Sequence, residues 1–198
     1  MDYQIRAYPL QQGALEVEYI EEFFSEYPRH KKASEIIDRL EDRVHSILMT
    51  EAALPDEPGT VVPVSYKIAH EIRDQETDPI LADLVDRLRG TIDLVGRRVV
   101  YQWIGGTRTD WRGQGHFRAL TEEQEVWAHG AGFDEIVAKT KNKFYEMRSA
   151  LDHLRFEVVK LEVDRKDSQE SKLYLRKRIG QHVIDRHRGR RSLVRLGD

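Results

Sequence analysis

Residues 109–120, TDWRGQGHFRAL, place two glycines, an arginine and a glutamine directly before a segment with the pattern of a helix. Glycine costs roughly 0.5–1 kcal/mol in a helix interior relative to alanine, so a pair at a helix start indicates backbone that approaches another group closely. The first N–H groups of a helix are unpaired and lie at the positive end of its dipole. The pattern therefore predicts an anion site, for which a phosphate is the natural ligand.

Two common phosphate-binding motifs do not fit this stretch. A P-loop requires a lysine followed by serine or threonine after its second spaced glycine, and no such pair is present. The dinucleotide fingerprint requires a third glycine, whereas Gly113 and Gly115 are followed by the residues HFR. What remains is an Arg-x-x-Gly motif from Arg112 to Gly115.

The elements around the motif follow from the hydrophobic pattern of the sequence. Residues 97–107, RRVVYQWIGGT, carry the strongest strand signal and run directly into the glycine turn. A strand, a glycine turn, a helix and a second strand together indicate a βαβ unit. After the strand and turn, the pattern predicts a helix over 113–130, a strand over 134–140, a helix over 142–153, and strands over 156–163 and 172–179.

The N-terminal half is predicted to begin with a strand at residues 3–10, followed by two helical stretches separated near Tyr27 and Pro28. The LPDEPGT segment at 54–60 is predicted to be a turn, and residues 60–72 to form one or two strands with a break at Pro63. Asp78 before Pro79 predicts a helix start, and Gly90 its end. The second N-terminal helix is predicted to have an apolar face formed by Ile36, Ile37, Leu40, Val44, Ile47 and Leu48.

Composition limits the function classes. The chain has 198 residues, of which 39% are hydrophobic and 34% charged, so we expect an ordinary globular protein with one domain. No apolar run reaches the ~18–20 residues that a bilayer requires, and the N-terminus lacks the pattern of an export signal, so a cytoplasmic location is expected. Because the chain has no cysteine, thiolate nucleophiles and thiolate metal sites are excluded.

The extended motif resembles the GNAT acyltransferase superfamily, whose cofactor loop follows the pattern Q/R-x-x-G-x-G/A after a bulged strand. Arg112, Gly113, Gln114 and Gly115 match it. Upstream, YQWIGGTRTDWRG resembles the fourth strand of these proteins, and downstream AHGAGFDEIVAKTKNKFYEM resembles the end of their third helix, the fifth strand and the fourth helix. The resemblance implies an α/β fold with a mixed, mostly antiparallel sheet splayed at strands 4 and 5, a single domain over 1–180, and a basic tail over 181–198.

The resemblance also implies where acetyl-CoA, or another short acyl-CoA, would bind. Backbone N–H groups from about 113 to 117 would donate to its pyrophosphate, and the strand around 104–107 would pair with its pantetheine arm. For Asn142, a helix N-cap is an equally good interpretation. The implied cofactor-binding residues are Gly105, Gly106, Thr107, Arg112, Gly113, Gln114, Gly115, His116, Phe117 and Asn142.

Three positions depart from the family pattern. Phe117 replaces the last Gly/Ala of the loop, and Arg155 replaces the usual glycine before phenylalanine, so we expect that turn to differ. Leu151 aligns with the tyrosine that often serves as the general acid. Tyr145 is a poor substitute, because six residues of helix place it on a different face.

Acyl transfer to an amine also requires a group that removes a proton near neutral pH. The candidates are His70, Glu71 and Tyr101, although packing on a strand face also explains Tyr101 together with Trp103. His116 lies in the loop, where an exposed histidine without a role is the simpler interpretation. The eight histidines show neither i, i+4 pairing nor carboxylate partners, so no metal site is predicted.

The sequence therefore suggests an acyl-CoA-dependent N-acyltransferase that acts on a primary amine of a small molecule or peptide by direct attack, since no cysteine can carry a covalent intermediate. The acceptor pocket is expected in residues 11–50 and 60–97. The alternative is a non-catalytic module that senses acyl-CoA or holds a partner.

The arginine-rich tail is interpreted as solvated or as a homodimer contact rather than a nucleic-acid site, because no aromatic stacking platform accompanies it.

Overall fold

The computed structural model describes residues 3–10, 18, 20, 31–54 and 59–187. Within them, residues 181–187 are helical, and short 3₁₀ turns lie at Thr109–Trp111 and Ser168–Glu170. The longer helices are α1 (Ala33–Leu40), α2 (Pro79–Leu88), α3 (His116–Gly130) and α4 (Tyr145–His153). The strands are β1 (Tyr3–Tyr8), β2 (His45–Ala53), β3 (Val61–Ile72), β4 (Val99–Thr107), β5 (Glu135–Lys141), β6 (Glu157–Glu162) and β7 (Lys172–Arg178).

The strands form one mixed sheet with the order β1-β2-β3-β4-β5-β7-β6. Antiparallel pairing joins β1 to β2, β2 to β3, β5 to β7 and β6 to β7, whereas β4 and β5 are parallel. The parallel register covers Val99–Gln102 on β4 and Glu135–Ala138 on β5, and both strands continue beyond it. The predicted α/β class with a mostly antiparallel sheet is confirmed.

The chain folds into two compact units, and the first comprises residues 1–70 and 103–121. Its core joins Ile36 and Leu40 of α1 to Ile47 and Met49 of β2 and to Ile68 of β3. The prediction that one helical face runs from Ile36 to Leu48 is therefore wrong, because the helix ends at Leu40 and a strand begins at His45. Most of β2 is buried on both faces, so its apolar residues do not alternate and the helical spacing was accidental.

The predicted break at Pro63 is absent, since β3 runs without interruption from Val61 to Ile72. Instead, the β2–β3 register shifts between Thr50 and Glu51, and Glu51 lies opposite Pro63. A bulge at this point accommodates a residue that has no N–H to give to the ladder. The predicted helix before Tyr27 and most of the turn at 54–60 lie outside the described residues.

The second unit comprises residues 71–102 and 122–198. Its helix α2 begins as predicted, because the Asp78 carboxylate accepts hydrogen bonds from the N–H groups of Ile80 and Leu81 at 2.8 and 3.0 Å. Pro79 occupies the first helical position, where its missing N–H costs nothing. Gly90 follows the helix with φ +80°, so the predicted helix end is also confirmed.

A buried cluster of charged and polar side chains in the second unit holds the helical residues 181–187. The Glu125 carboxylate of α3 accepts hydrogen bonds from Lys177 Nζ at 2.7 Å and from His187 Nε2 at 2.6 Å. Val183 and Ile184 are buried as well, so folded structure continues past residue 180, where the basic tail was expected to begin. Burial lowers the pKa of Lys177, and the nearby Glu125 carboxylate partly offsets this by raising it.

The described part of the chain contains no helix that is both long enough and apolar enough to cross a bilayer.

Candidate functional site

The glycine-rich loop connects β4 to α3 within the first unit. Gly113 and Gly115 have φ values of +77° and +83°, in the left-handed region that glycine adopts at little cost. An added Cβ would meet no atom of the described residues within 4 Å at either position. The Cβ side of both glycines is therefore open.

Helix α3 begins immediately after these glycines. Its first intrahelical hydrogen bond joins the Ala119 N–H to the Gly115 carbonyl at 3.0 Å. The N–H groups of residues 116–118 precede that bond and lie at the positive end of a fifteen-residue helix. This arrangement can bind an anion through backbone donors, as the sequence motif predicts.

The end of β4 is anchored to β3 by side-chain hydrogen bonds. Ser65 Oγ donates to the Gly106 carbonyl at 2.8 Å and lies 2.7 Å from Thr107 Oγ1. Arg112 Nε in turn donates to the Thr107 carbonyl at 3.3 Å, which ties the loop to the strand. These contacts hold the predicted residues Gly106, Thr107 and Arg112 together.

Gly105 packs closely against β3 in the first unit. A Cβ at this position would lie 3.0 Å from the Tyr66 carbonyl oxygen and 3.4 Å from Lys67 Cγ. A larger residue would therefore push β3 and β4 apart. The close approach of β3 is one reason for a glycine here, and the bulge expected at this position stays a prediction.

His116 is buried, contrary to the expectation of an exposed histidine. Its side chain is 2% exposed, and its ring centroid lies 4.6 Å from that of Tyr3 and 6.0 Å from that of Trp111. Within the described residues, neither ring nitrogen has a hydrogen-bond partner. Burial lowers the pKa of His116, so the ring is neutral near pH 7 and its backbone N–H is the group available to a ligand.

Two of the three candidate bases are buried in the structure. His70 is fully buried on β3 in the first unit, with its ring centroid 5.6 Å from that of Trp103. Tyr101, in the second unit, is 9% exposed, in keeping with a packing role on β4.

Glu71 is the most accessible of the three candidates, with 17% of its side chain exposed. It forms ion pairs with Arg73 at 3.4 Å and with Arg98 at 3.5 Å. All three line a cavity of about 320 Å³ in the second unit. The carboxylate is therefore held between two guanidinium groups beside an open space.

Asn142 lies in the second unit and is not a helix N-cap. Helix α4 begins at Tyr145, with Phe144 as its cap residue. The Asn142 amide donates to the Ser168 carbonyl at 3.1 Å, and its oxygen accepts from Arg148 at 2.5 Å. The interpretation of Asn142 as a helix N-cap is therefore wrong. Its contact with a cofactor stays a prediction.

The other departures from the family pattern have clear structural outcomes. Leu151 is completely buried, and the exposed Tyr145 hydroxyl donates to Gln169 at 2.7 Å. Arg155 takes φ +64° itself, and the Phe156 N–H donates to the Leu151 carbonyl at 2.9 Å, which closes the end of α4. The arginine thus takes a left-handed conformation that glycine adopts at less cost, and the prediction that this turn differs from the family's stays a prediction.

The sequence motifs do not single out Lys67, which packs against α3. Its side chain is 3% exposed, and Nζ donates to Thr121 Oγ1 on α3. The available signal was a lysine inside VVPVSYKIAHEI, an otherwise apolar and aromatic strand pattern. Among the described residues, no group of three or more His, Cys, Asp and Glu side chains is placed to hold a metal ion.

Solved structures resemble this chain along nearly its whole length. NAA60 from Arabidopsis thaliana, in complex with acetyl-CoA, matches with TM-score 0.64 and 13% identity over 89% of this chain and 99% of its own. A phosphinothricin acetyltransferase of the GNAT superfamily from Sinorhizobium meliloti, in complex with AcCoA, matches with TM-score 0.61 and 15% identity over 91% and 90%. This chain has the GNAT fold.

The ribosomal-protein-S18-alanine N-acetyltransferase from Escherichia coli is a third structure with this fold. It matches with TM-score 0.59 and 12% identity over 90% of this chain and 96% of its own. No protein-family model matches the sequence, and no curated protein does so either. The likeness is therefore one of fold.

Proposed function

We propose that the protein is an acyl-CoA-dependent N-acyltransferase of the GNAT superfamily that uses acetyl-CoA. One observation carries the proposal: two left-handed glycines, Gly113 and Gly115, lie directly before the first turn of α3, and their Cβ positions meet no atom of the described residues. Structures with the same fold that contain acetyl-CoA, from Arabidopsis and Sinorhizobium, support it.

The chemistry of the loop fits a pyrophosphate. The N–H groups of residues 113–117 are the proposed donors, and the α3 dipole adds about half a positive charge at the same place. Arg112 brings a full positive charge to the start of the loop, where its Nε donates to the Thr107 carbonyl. Its guanidinium is proposed to bind a phosphate oxygen. Backbone groups of residues 104–107 are proposed to pair with the pantetheine arm, and Asn142 to contact the cofactor.

Direct attack is the proposed route of acyl transfer. The amine nitrogen forms the new bond to the acyl carbon, the C–S bond breaks, and the thiolate takes up the proton that the amine loses. No cysteine is present to carry the acyl group between two steps. A β4 amide at Gly105 or Gly106 is proposed to stabilise the developing oxyanion.

Glu71, His70 and Tyr101 are the proposed candidates for the group that deprotonates the amine. The variants Glu71→Gln, His70→Gln and Tyr101→Phe separate them. Replacement of the residue that acts as base is expected to lower kcat about 10²- to 10⁴-fold, with little change in the KM for acetyl-CoA. If all three variants keep the original kcat, the base is water or another group.

A second candidate function is a non-catalytic acyl-CoA sensor with the same fold. The observation that favours it is Leu151, a buried apolar side chain at the position where the superfamily often has its general acid. In a sensor, acyl-CoA binding would be retained although no group protonates the departing thiolate.

Two measurements in sequence test these functions. Isothermal titration calorimetry with acetyl-CoA is expected to show binding at one site. A thiol-release assay over a panel of small-molecule and peptide amines then separates the enzyme from the sensor. Binding without turnover on any amine supports the sensor, and absence of binding contradicts both functions.

A further inference from the structure

We propose that the second unit has an anion site of its own, formed by Arg97, Arg176 and Arg178, which takes the phosphate group of a small molecule. The three arginines line a cavity of about 330 Å³ together with residues 90–93, which follow α2. All of these residues belong to the second unit, whereas the glycine-rich loop belongs to the first. The site is therefore additional to acyl-CoA binding and does not depend on it.

Strand pairing brings these arginines together. Glu135 of β5 lies opposite Arg178 of β7. Arg176 comes two residues before Arg178 on the same strand, so both side chains point to the same face of the sheet. Arg97 comes just before β4, and its Nη1 lies 3.4 Å from Glu135 Oε2. The three arginines therefore surround Glu135 and face one cavity.

The Glu135 carboxylate holds two of the guanidinium groups in place. It is fully buried, with Oε2 at 3.4 Å from Arg97 Nη1 and Oε1 at 3.5 Å from Arg176 Nε. Both distances exceed the roughly 2.7–2.9 Å of a strong charge-assisted hydrogen bond. Arg176 Nη1 also donates to the Thr91 carbonyl at 3.2 Å, which fixes this guanidinium beside residues 90–93. Since a guanidinium has about five N–H donors, both groups keep donors for a ligand.

The charges around the cavity leave a positive excess. Its lining contains three arginines and one carboxylate, that of Asp93, and the buried Glu135 adds a second negative charge. Glu157 lies 3.3 Å from Arg176 Nε, but its side chain is 72% exposed, so water screens this ion pair. In the part of the chain that the structure describes, the Arg178 side chain makes no hydrogen bond or ion pair. Its charge is the one available to a ligand.

A phosphate group fits this arrangement better than a carboxylate does. A phosphate monoester carries three terminal oxygens and about two negative charges near pH 7, so it can accept from all three guanidinium groups. A carboxylate offers two oxygens and one charge. The planar donor fork of arginine also matches two phosphate oxygens at once. The cavity volume lies at the lower end of the range for small-molecule sites, about 300–1,000 Å³.

The competing role for these arginines is neutralisation of the buried Glu135. Arg178 separates the two roles, because it lines the cavity but forms no ion pair with Glu135 among the described residues. If the arginines serve only Glu135, Arg178→Gln leaves phosphate affinity unchanged. If they form an anion site, the same variant weakens phosphate binding.

The experiment is an NMR titration of the original chain and its variants with inorganic phosphate, glycerol phosphate and acetate at constant ionic strength. The backbone N–H resonances of Thr91 and Ile92 report on this cavity, so phosphate bound at the glycine-rich loop is observed separately. We expect Arg178→Gln to weaken phosphate binding at these resonances about tenfold, because it removes a charged donor. Arg165→Gln, which removes the same charge from an exposed position, and Gly115→Asp should each leave it within about twofold.

Three results would overturn the site: no saturable shift at Thr91 and Ile92, acetate affinity equal to that of phosphate, or equal losses in Arg165→Gln and Arg178→Gln. Arg178→Lys, which keeps the charge without the fork, should lose less affinity than Arg178→Gln, and it replaces that variant in the comparison if glutamine prevents folding. Tighter binding of glycerol phosphate than of inorganic phosphate identifies an organic phosphate as the ligand, and the reverse order identifies free phosphate. Coenzyme A binding, measured by calorimetry, tests the proposed function independently of all these results.

Discussion

Replacing Gly115 by aspartate is expected to weaken coenzyme A binding while the protein stays folded. The structure provides a matched control in Gly90, which follows α2 in the second unit. The two glycines have φ values of +83° and +80°, and within the described part of the chain a Cβ would meet no atom within 4 Å at either position. The same substitution therefore meets the same local backbone and free space at two sites, only one of which belongs to the proposed anion cradle.

The expected magnitudes follow from backbone strain and from charge. An L-residue in the left-handed region costs roughly 1–2 kcal/mol, less for aspartate, so both variants should lose about 1 kcal/mol of unfolding free energy. A carboxylate about 4 Å from a phosphate charge is repelled by about 1 kcal/mol in bulk water and by about 4 kcal/mol near a protein surface. Gly115→Asp should therefore weaken binding between about fivefold and about a thousandfold.

Urea unfolding and calorimetry with coenzyme A measure the two effects separately. Gly115→Ala extends the series, because it adds a Cβ without charge and should weaken binding less than the aspartate does. If Gly115→Asp binds coenzyme A as tightly as Gly90→Asp and the original chain do, the loop is not the anion site. Equal losses of affinity at both glycines would instead indicate a general effect of strain.

Three further predictions concern stability. Arg155→Gly should raise the unfolding free energy by about 0.5–1 kcal/mol, because glycine adopts the observed φ of +64° without strain; a lower Tm would contradict this. Hydrogen bonds from Lys141 and Lys143 lower the pKa of Glu170 to about 2. The stability that this carboxylate contributes should therefore be present above about pH 4.5 and be lost as the pH falls towards 2. An NMR titration midpoint near 4.5 for Glu170 would refute this prediction. Glu125→Ala should cost about 3–5 kcal/mol in urea unfolding, since it leaves Lys177 buried without its carboxylate, and a loss under 1 kcal/mol would show that the cluster relaxes.

The features that the sequence determined are local. Asp78 caps a helix through N–H groups two and three residues away, and Gly90 ends that helix through its own backbone conformation. The glycine pair before α3 is likewise encoded within a few residues. Signals of this kind do not depend on the rest of the fold, and they were sufficient to predict the order of the elements from β4 to β7 and the position of the loop.

The tertiary structure decided which face of each element is buried and which charges meet. Strand β2 has no alternation because both of its faces are covered, so the spacing of Ile47 and Leu48 wrongly predicts a continuation of the helix. Lys67 and Thr121 are 54 residues apart, and Glu125 and His187 are 62 apart, so only the packed sheet and helices bring them together. A pattern within one segment shows where a charged side chain lies along the chain, but its partner and its burial depend on segments distant in sequence.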